Sequence, residues 1–222
     1  HGDFLRLDCP KRVEFFKSLG TAVRQVSCTS FATAALGVEG KLFTWGMGEV
    51  LGQGVYIGDG DCATPVIVAK LRTKRIFQVA CGAYFMVALG VDGRLFSWGR
   101  NESGQLGLTH LRDSKKKKRT VVPVEIAVPS SVKPDDDPVV SVVCGATHTA
   151  ALTKGRVLFV WGSYSSQAPV EEKAVLIHRM LEEEKICNVT AGNGQIYVAV
   201  EDGGIYFAGR NPRIARKVTY EP

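Results

Sequence analysis

Hydrophobic and polar residues follow one order at four places along the chain. Each copy has 21 residues: an apolar β-prone run, a glycine turn, and a return run with alternate large residues. The copies are residues 26–46, 79–99, 142–162 and 189–209, and their starts lie 53, 63 and 47 residues apart. Short β-type runs that recur about every fifty residues predict the blades of a β-propeller. Residues 1–222 are therefore predicted to be one all-β propeller segment with about four visible blades.

Each copy is predicted to form a β-hairpin. In the second copy, Asp92-Gly93 separates two β-prone runs, and this dipeptide favours a tight type I′ turn. The third copy has Lys154-Gly155 one residue earlier. We expect a β-bulge in residues 157–160 to restore the register.

The return run carries large residues at alternate positions, and in three copies it ends in Trp-Gly. Alternate residues of a strand point to one face. We therefore predict that this stripe packs blade against blade rather than forming a ligand cage. The residues predicted to be structural, with the tryptophans buried in equivalent positions, are Trp45, Trp98, Trp161, Gly46, Gly99 and Gly162.

Positive charge is concentrated in one segment. The chain has 28 basic and 22 acidic residues, and residues 111–120 alone hold six basic residues and one acid. The candidate partner-binding residues are Lys115, Lys116, Lys117, Lys118 and Arg119. Such a run could bind an acidic protein surface or nucleic-acid phosphates, or it could act as a nuclear-import signal. The alternative is that it is a solvated insertion without a binding role. No aromatic residues are interleaved, so base stacking is not indicated.

The sequence indicates neither an enzyme nor a cofactor site. The four histidines are scattered, no phosphate-binding glycine loop is present, and His148 is expected in the core or channel. We expect no catalytic, cofactor-binding or metal-binding residues. The six cysteines lack metal spacing, and Cys28, Cys81 and Cys144 share one repeat position, where buried reduced thiols are expected. Reduced thiols favour an intracellular protein, cytoplasmic or nuclear, and no apolar run suggests a membrane partner.

The segment Trp98-Gly-Arg-Asn-Glu-Ser-Gly-Gln-Leu-Gly107 follows a hairpin that contains Val-x-Cys-Gly, Ala-Leu, Asp-Gly and Leu-Phe-x-Trp-Gly in that order. This combination resembles the repeat of the RCC1 family, named for the regulator of chromosome condensation. The resemblance implies a propeller of seven blades, of which four are visible here. The chain departs from the family pattern, because the full Asn-x-x-Gly-Gln-Leu-Gly occurs once and the family's inner-strand histidine survives only as His148.

The resemblance and the basic segment together leave three readings of function open. The first is a non-catalytic scaffold that presents loops to protein partners within a larger assembly. The alternative is guanine-nucleotide exchange on a Ran-like small GTPase, which the resemblance to RCC1 itself implies. A third reading is attachment to chromatin or nucleic acid through residues 115–119.

Overall fold

A computed structural model describes residues 10–54, 61–108, 119–126, 136–163, 171–176, 185–209 and 216–217. These residues form four four-stranded antiparallel sheets, each built from strands that follow one another in sequence. This architecture confirms the predicted all-β propeller fold. We call the sheets blades 1 to 4 and number the strands in chain order.

The four strands of each blade run from the innermost to the outermost. Blade 1 contains β1 (Val23–Cys28), β2 (Ala32–Gly37), β3 (Leu42–Gly46) and β4 (Cys62–Ile67). Blade 2 contains β5 (Ile76–Cys81), β6 (Phe85–Gly90), β7 (Leu95–Arg100) and β8 (Arg119–Glu125). Blade 3 contains β9 (Val139–Cys144), β10 (His148–Thr153), β11 (Leu158–Gly162) and β12 (Glu171–Leu176). Blade 4 contains β13 (Ile186–Ala191), β14 (Gln195–Val200), β15 (Ile205–Gly209) and β16 (Arg216–Lys217).

Short helical segments connect these strands. The helix α1 (Phe15–Ser18) precedes blade 1, and 3₁₀ turns occupy Gly48–Val50 and Ala69–Leu71. Each sequence copy spans the second half of an innermost strand and the two strands that follow. No helix among the described residues has the length and apolar character needed to span a membrane.

The hairpin turns differ from the predicted type I′. In blade 2 the Gly93 amide donates to the Gly90 carbonyl at 3.1 Å, and the Gly90 amide donates to the Arg94 carbonyl at 2.8 Å. Positive φ is confined to Gly93, at 76°, and Asp92 keeps a negative φ. The turn is therefore a type I turn followed by one left-handed glycine, and the type I′ prediction was wrong.

The predicted β-bulge in residues 157–160 was also wrong. Strands β10 and β11 pair without a break from His148↔Gly162 to Leu152↔Leu158. The turn sits where the other copies have theirs, and Arg156 takes the left-handed position with φ 67°. The Arg156 guanidinium donates to the Ile186 carbonyl at 3.0 Å and pairs with Glu201. These contacts with blade 4 offset the strain of a non-glycine residue in this conformation.

The core lies in the seams between consecutive blades. We call the side of a blade that meets the preceding blade its back face, and the opposite side its front face. Phe96 and Trp98 on the back face of blade 2 pack with residues of blade 1. Phe159 and Trp161 pack with blade 2 in the same way. The aromatic stripe therefore packs blade against blade, as predicted from the period-two pattern.

The tryptophans occupy one register position, but their burial differs. Trp98 and Trp161 are fully buried, and their indole Nε1 atoms donate to the Val50 and Gln105 carbonyls, each at 2.9 Å. These carbonyls belong to the loop that follows the third strand of the preceding blade. Trp45 is only half-buried, because no preceding blade is among the described residues. The prediction of three equally buried tryptophans was therefore wrong for Trp45.

The loop that covers each tryptophan requires glycine. A Cβ added to Gly52 would lie 2.9 Å from Nε1 of Trp98, and one added to Gly107 would lie 2.9 Å from Nε1 of Trp161. Both glycines also have positive φ, 74° and 65°. The Leu-Gly pair that both loops share, Leu51-Gly52 and Leu106-Gly107, thus serves to seat the tryptophan of the next blade.

A glutamine joins the innermost strands across the first two seams. The Gln25 amide donates to the Val79 carbonyl at 2.9 Å and accepts from the Val79 amide at 3.0 Å. The Val142 amide donates to Gln78 Oε1 at 2.9 Å. The side chains of Gln25 and Gln78 therefore form hydrogen bonds with the backbone of the next blade's innermost strand, as a paired strand would.

Candidate interaction surface

One end of the blades carries the turns between the first and second strands, and we call it the upper face. At this face three backbone hydrogen bonds link the four turns. The Ser30 amide donates to the Ala83 carbonyl, the Ala83 amide to the Ala146 carbonyl, and the Ala146 amide to the Asn193 carbonyl, at 3.1–3.2 Å. These hydrogen bonds fix the four turns relative to one another. Side chains on the turns are therefore held on a rigid platform.

An aromatic stack lies on the upper face above the seam between blades 1 and 2. The rings of Phe31 and Tyr84 are 5.6 Å apart, and the Arg100 guanidinium lies 4.4 Å from the Tyr84 ring. Phe31 is 55% exposed. An exposed aromatic ring beside a stacked cation is typical of surfaces that bind protein partners.

Two arginines converge on Glu49 beside this stack. The Arg100 Nη2 lies 3.0 Å from Glu49 Oε2, and the Arg119 Nη1 lies 3.1 Å from Glu49 Oε1. Burial of the carboxylate opposes its ionisation, but the hydrogen bonds from both arginines outweigh burial and lower the pKa of Glu49. Glu49 belongs to blade 1 and both arginines to blade 2, so the carboxylate ties the two blades together.

The structure describes one of the five basic residues predicted as a partner site. Arg119 is the first residue of β8. Its side chain is exposed and forms an ion pair with Glu49. Lys115, Lys116, Lys117 and Lys118 lie outside the described residues. Their role in partner binding stays a prediction.

Sequence reasoning missed the cluster of Phe31, Glu49, Tyr84 and Arg100. Glu49 and Arg100 are 51 residues apart in the sequence, and no motif joins the four residues. One signal was available: Phe31 and Tyr84 fall at the same repeat position, between the first two strands. Two aromatic residues at a turn position predict exposure rather than burial.

His148 is fully buried at the start of β10, in agreement with the core position expected for it. Its ring packs over Gly145, where an added Cβ would lie 2.1 Å from Cε1. Burial lowers the pKa of His148 to about 4, although a hydrogen bond with the Gln195 backbone opposes this shift. Within the described parts of the chain, no group of three His, Cys, Asp or Glu side chains could hold a metal ion.

Acid should destabilise the fold through His148. The unfolded chain protonates this imidazole near its ordinary pKa of 6.5, whereas the folded chain does so only near 4. Stability is therefore lost as the pH falls below 6.5, by about 2–3 kcal/mol at pH 4.5. Urea unfolding at pH 7 and pH 4.5 measures this loss. The matched variant is His148→Phe, because Phe85 fills the same position in blade 2; an equal acid loss in that variant would exclude His148 as the cause.

The shared cysteine position is not uniformly buried. Cys81 and Cys144 are partly covered, and burial raises the pKa of the Cys81 thiol to about 12. Cys28 is exposed, so the prediction of buried thiols was wrong for this residue. Cys28 belongs to blade 1, and no described blade packs against the back face of blade 1. The five described cysteines are free thiols.

The family model of the regulator of chromosome condensation (RCC1) repeat matches residues 39–89 and 92–152, which together make up half of the chain. A second RCC1 repeat model matches residues 78–105. The chain belongs to the RCC1 repeat family. The matched ranges include Trp45-Gly46, Trp98-Gly99 and the loops that seat Trp98 and Trp161.

The chain spans about a third or less of the length of the curated relatives described next. The mitochondrial RCC1 domain-containing protein RUG3 of Arabidopsis thaliana is 37% identical over 159 residues, covering 71% of this chain and 32% of RUG3. The human E3 ubiquitin-protein ligase HERC2 is 32% identical over 222 residues, covering 95% of this chain and 4% of HERC2. The crystal structure of Prp20p from Saccharomyces cerevisiae superposes with a TM-score of 0.71 at 19% identity, covering 92% of this chain and 53% of Prp20p. The structural similarity confirms the propeller fold.

Proposed function

We propose that this chain is a non-catalytic protein-interaction module, a propeller segment that presents its upper face to an acidic partner within a larger assembly. HERC2 supports this reading, because a similar segment makes up 4% of a ubiquitin ligase. Prp20p also supports it, since its structure was described together with its binding to Gsp1p and histones. We further propose action in the cytoplasm or nucleus, which suits the free thiols, although RUG3 is named as mitochondrial.

The observation that carries the proposal is the anchoring of Arg119 by Glu49. Arg119 directly follows the four lysines in sequence, so the basic segment returns to the fold at the seam between blades 1 and 2. The exposed ring of Phe31 belongs to the same surface. A partner segment with carboxylates beside an apolar residue would match both features.

The alternative function is guanine-nucleotide exchange on a small GTPase. It is favoured by the similarity to Prp20p, whose described partners include Gsp1p. Exchange requires a surface that binds the nucleotide-free GTPase more tightly than the loaded one. Among the described residues we match no protruding element to such a surface, so binding without exchange is the preferred proposal.

The lysine run provides the test. A pull-down with the chain at physiological salt identifies a partner, and calorimetry then measures its affinity over a range of salt concentrations. Replacing Lys115–Lys118 by serine should weaken binding about tenfold and flatten the salt dependence, because each exposed charge contributes on the order of 0.3–0.5 kcal/mol. The free energy of unfolding should change by less than about 0.5 kcal/mol.

A matched variant controls for net charge. Lys11, Lys17, Lys70 and Lys154 are exposed elsewhere on the described surface, and their replacement by serine removes the same charge. This variant should bind almost as the parent chain does. Equal affinity losses in both variants would show a general charge effect, and no loss in either would make residues 115–118 a solvated insertion.

A further inference from the structure

The end of the blades opposite the upper face carries the turns between the second and third strands, and we call it the lower face. Residues 68–75 cross this face from β4, the outermost strand of blade 1, to β5, the innermost strand of blade 2. Val68 and Leu71 are buried in the seam between the two blades. The amides of residues 71, 72 and 74 each donate to the carbonyl three residues earlier, at 3.0–3.2 Å. The segment is therefore held in one conformation along the seam.

Four exposed basic side chains lie on this segment, and we call them the basic ridge: Lys70, Arg72, Lys74 and Arg75. Among the described residues, none of the four forms an ion pair with a carboxylate. The acidic residues of the two neighbouring turns are already paired. Glu39 lies 3.0 Å from Lys41, and Asp92 lies 3.7 Å from Arg94. Because like charges this close repel one another, the ridge is a surface that favours a bound anion.

The connections between the other blades show that the repeat does not require this charge. Residues 69–75 contain four basic residues and no acidic residue. Between β8 and β9, residues 127–138 contain one basic residue and three acidic ones. Between β12 and β13, residues 177–185 contain two basic residues and three acidic ones. The basic ridge is therefore a feature of the seam between blades 1 and 2 and not of the blade architecture.

An exposed aromatic ring lies at the inner end of the basic ridge. The pairing of β5 with β6 shifts between Ile76 and Gln78, and this β-bulge leaves Phe77 without a partner in the ladder. A bulge re-aims the side chain of the extra residue, and Phe77 is 48% exposed. The Arg24 guanidinium lies 5.5 Å from the centre of the Phe77 ring and donates to the Ile76 and Phe77 carbonyls. A fifth cation, from blade 1, is thus fixed beside the ring.

We propose that the basic ridge, together with Arg24 and Phe77, binds single-stranded nucleic acid, with phosphates on the cations and one unpaired base stacked on the Phe77 ring. Cations that follow a phosphate backbone and an aromatic ring that accepts a base are the two elements of single-strand recognition. Arginine also matches phosphate oxygens with two N–H groups at once. A duplex cannot use the ring, because its bases are held inside the stack. This surface lies at the opposite end of the blades from the upper face, so the inference does not depend on the proposed function.

Fluorescence anisotropy with labelled oligonucleotides of about ten residues tests the stacking. The probes are a single-stranded RNA, a single-stranded DNA and a duplex of the same sequence, and an abasic strand. Phe77→Ala should weaken the binding of the single strands about tenfold and leave the duplex and the abasic strand unchanged, because only an unpaired base can stack. Phe77→Tyr should bind as the parent chain does. Unchanged single-strand binding in Phe77→Ala, or an equal loss with the abasic strand, would overturn the proposal.

Salt dependence tests the cations. Serine at all four positions of the basic ridge should lower the slope of log affinity against log salt concentration by about two to three. Urea unfolding checks that this variant is folded; if it is not, Arg72→Ser alone replaces it, with a slope lowered by about 0.7.

A matched variant removes the same charge from exposed positions elsewhere, by serine at Lys11, Arg12, Lys17 and Lys154. It should bind the single strands as the parent chain does. Equal losses in the ridge variant and the matched variant would overturn the proposal, because they would show a general charge effect. Displacement of the single strand by polyglutamate as effective as that by unlabelled strand would also overturn it, because the ridge would then bind acidic protein.

Discussion

Replacing Trp98 by alanine is expected to lower the free energy of unfolding by about 3–5 kcal/mol, the largest loss for any side-chain truncation considered. The side chain is fully buried in the seam between blades 1 and 2. Its removal leaves a cavity, and the Val50 carbonyl loses the indole donor at 2.9 Å. Urea denaturation followed by circular dichroism measures the change.

Trp45→Ala is the matched control. Trp45 occupies the same register position, opposite Thr33 as Trp98 is opposite Met86, but it is half-buried. Its truncation should cost less than half as much, because part of the side chain is already exposed to solvent. Equal losses at the two positions would contradict the assignment of the Trp98 contribution to the seam.

Gly99→Ala is expected to be the second severe change, with a loss of about 3 kcal/mol or more from backbone strain and steric overlap together. Gly99 has φ 109°, and an added Cβ would lie 2.5 Å from the Tyr84 carbonyl oxygen and 2.6 Å from the Phe85 Cα. Both neighbours are backbone atoms and cannot rotate away. The equivalent Gly46 and Gly162 meet their own backbone neighbours at 2.4 and 2.5 Å.

Gly203→Ala separates strain from overlap. Gly203 has φ 86°, but an added Cβ would meet no heavy atom of the described residues within 4 Å. Only the conformational cost of about 1–2 kcal/mol should remain. Thermal unfolding measures the loss of stability in both variants. If Gly99→Ala and Gly203→Ala lose the same free energy of unfolding, close packing is not the reason why the Trp-Gly pair recurs three times in this chain.

Sequence periodicity was sufficient for the fold because it reports contacts that repeat in every blade. Phe96 and Trp98 alternate with Ser97, and that alternation alone places both rings on one face. The same repeat predicted the structural glycines. Turn geometry was less accessible, since Asp92-Gly93 is compatible with more than one turn type, and the backbone hydrogen bonds and φ angles are needed to distinguish them.

The candidate surface could not be predicted because its contacts do not repeat. Glu49 pairs with Arg100 and Arg119, which come from another blade. The position of Arg100 is occupied by Met47 in the first copy and by Ser163 in the third. Gln25 and Gln78 were missed for a simpler reason, since each lies one residue before the start of its repeat copy. The exposure of Val26 and Trp45 depends on what lies beyond blade 1, which a single repeat cannot reveal.

We propose that this chain binds a partner without catalysing nucleotide exchange. Release of labelled GDP from a panel of small GTPases, Ran-like ones first, tests it most directly. We predict that an excess of the chain leaves the release rates within about twofold of the spontaneous rates, a barrier change of no more than about 0.4 kcal/mol. Acceleration of about a hundredfold, equivalent to roughly 2.7 kcal/mol, would contradict the claim and establish the chain as an exchange factor.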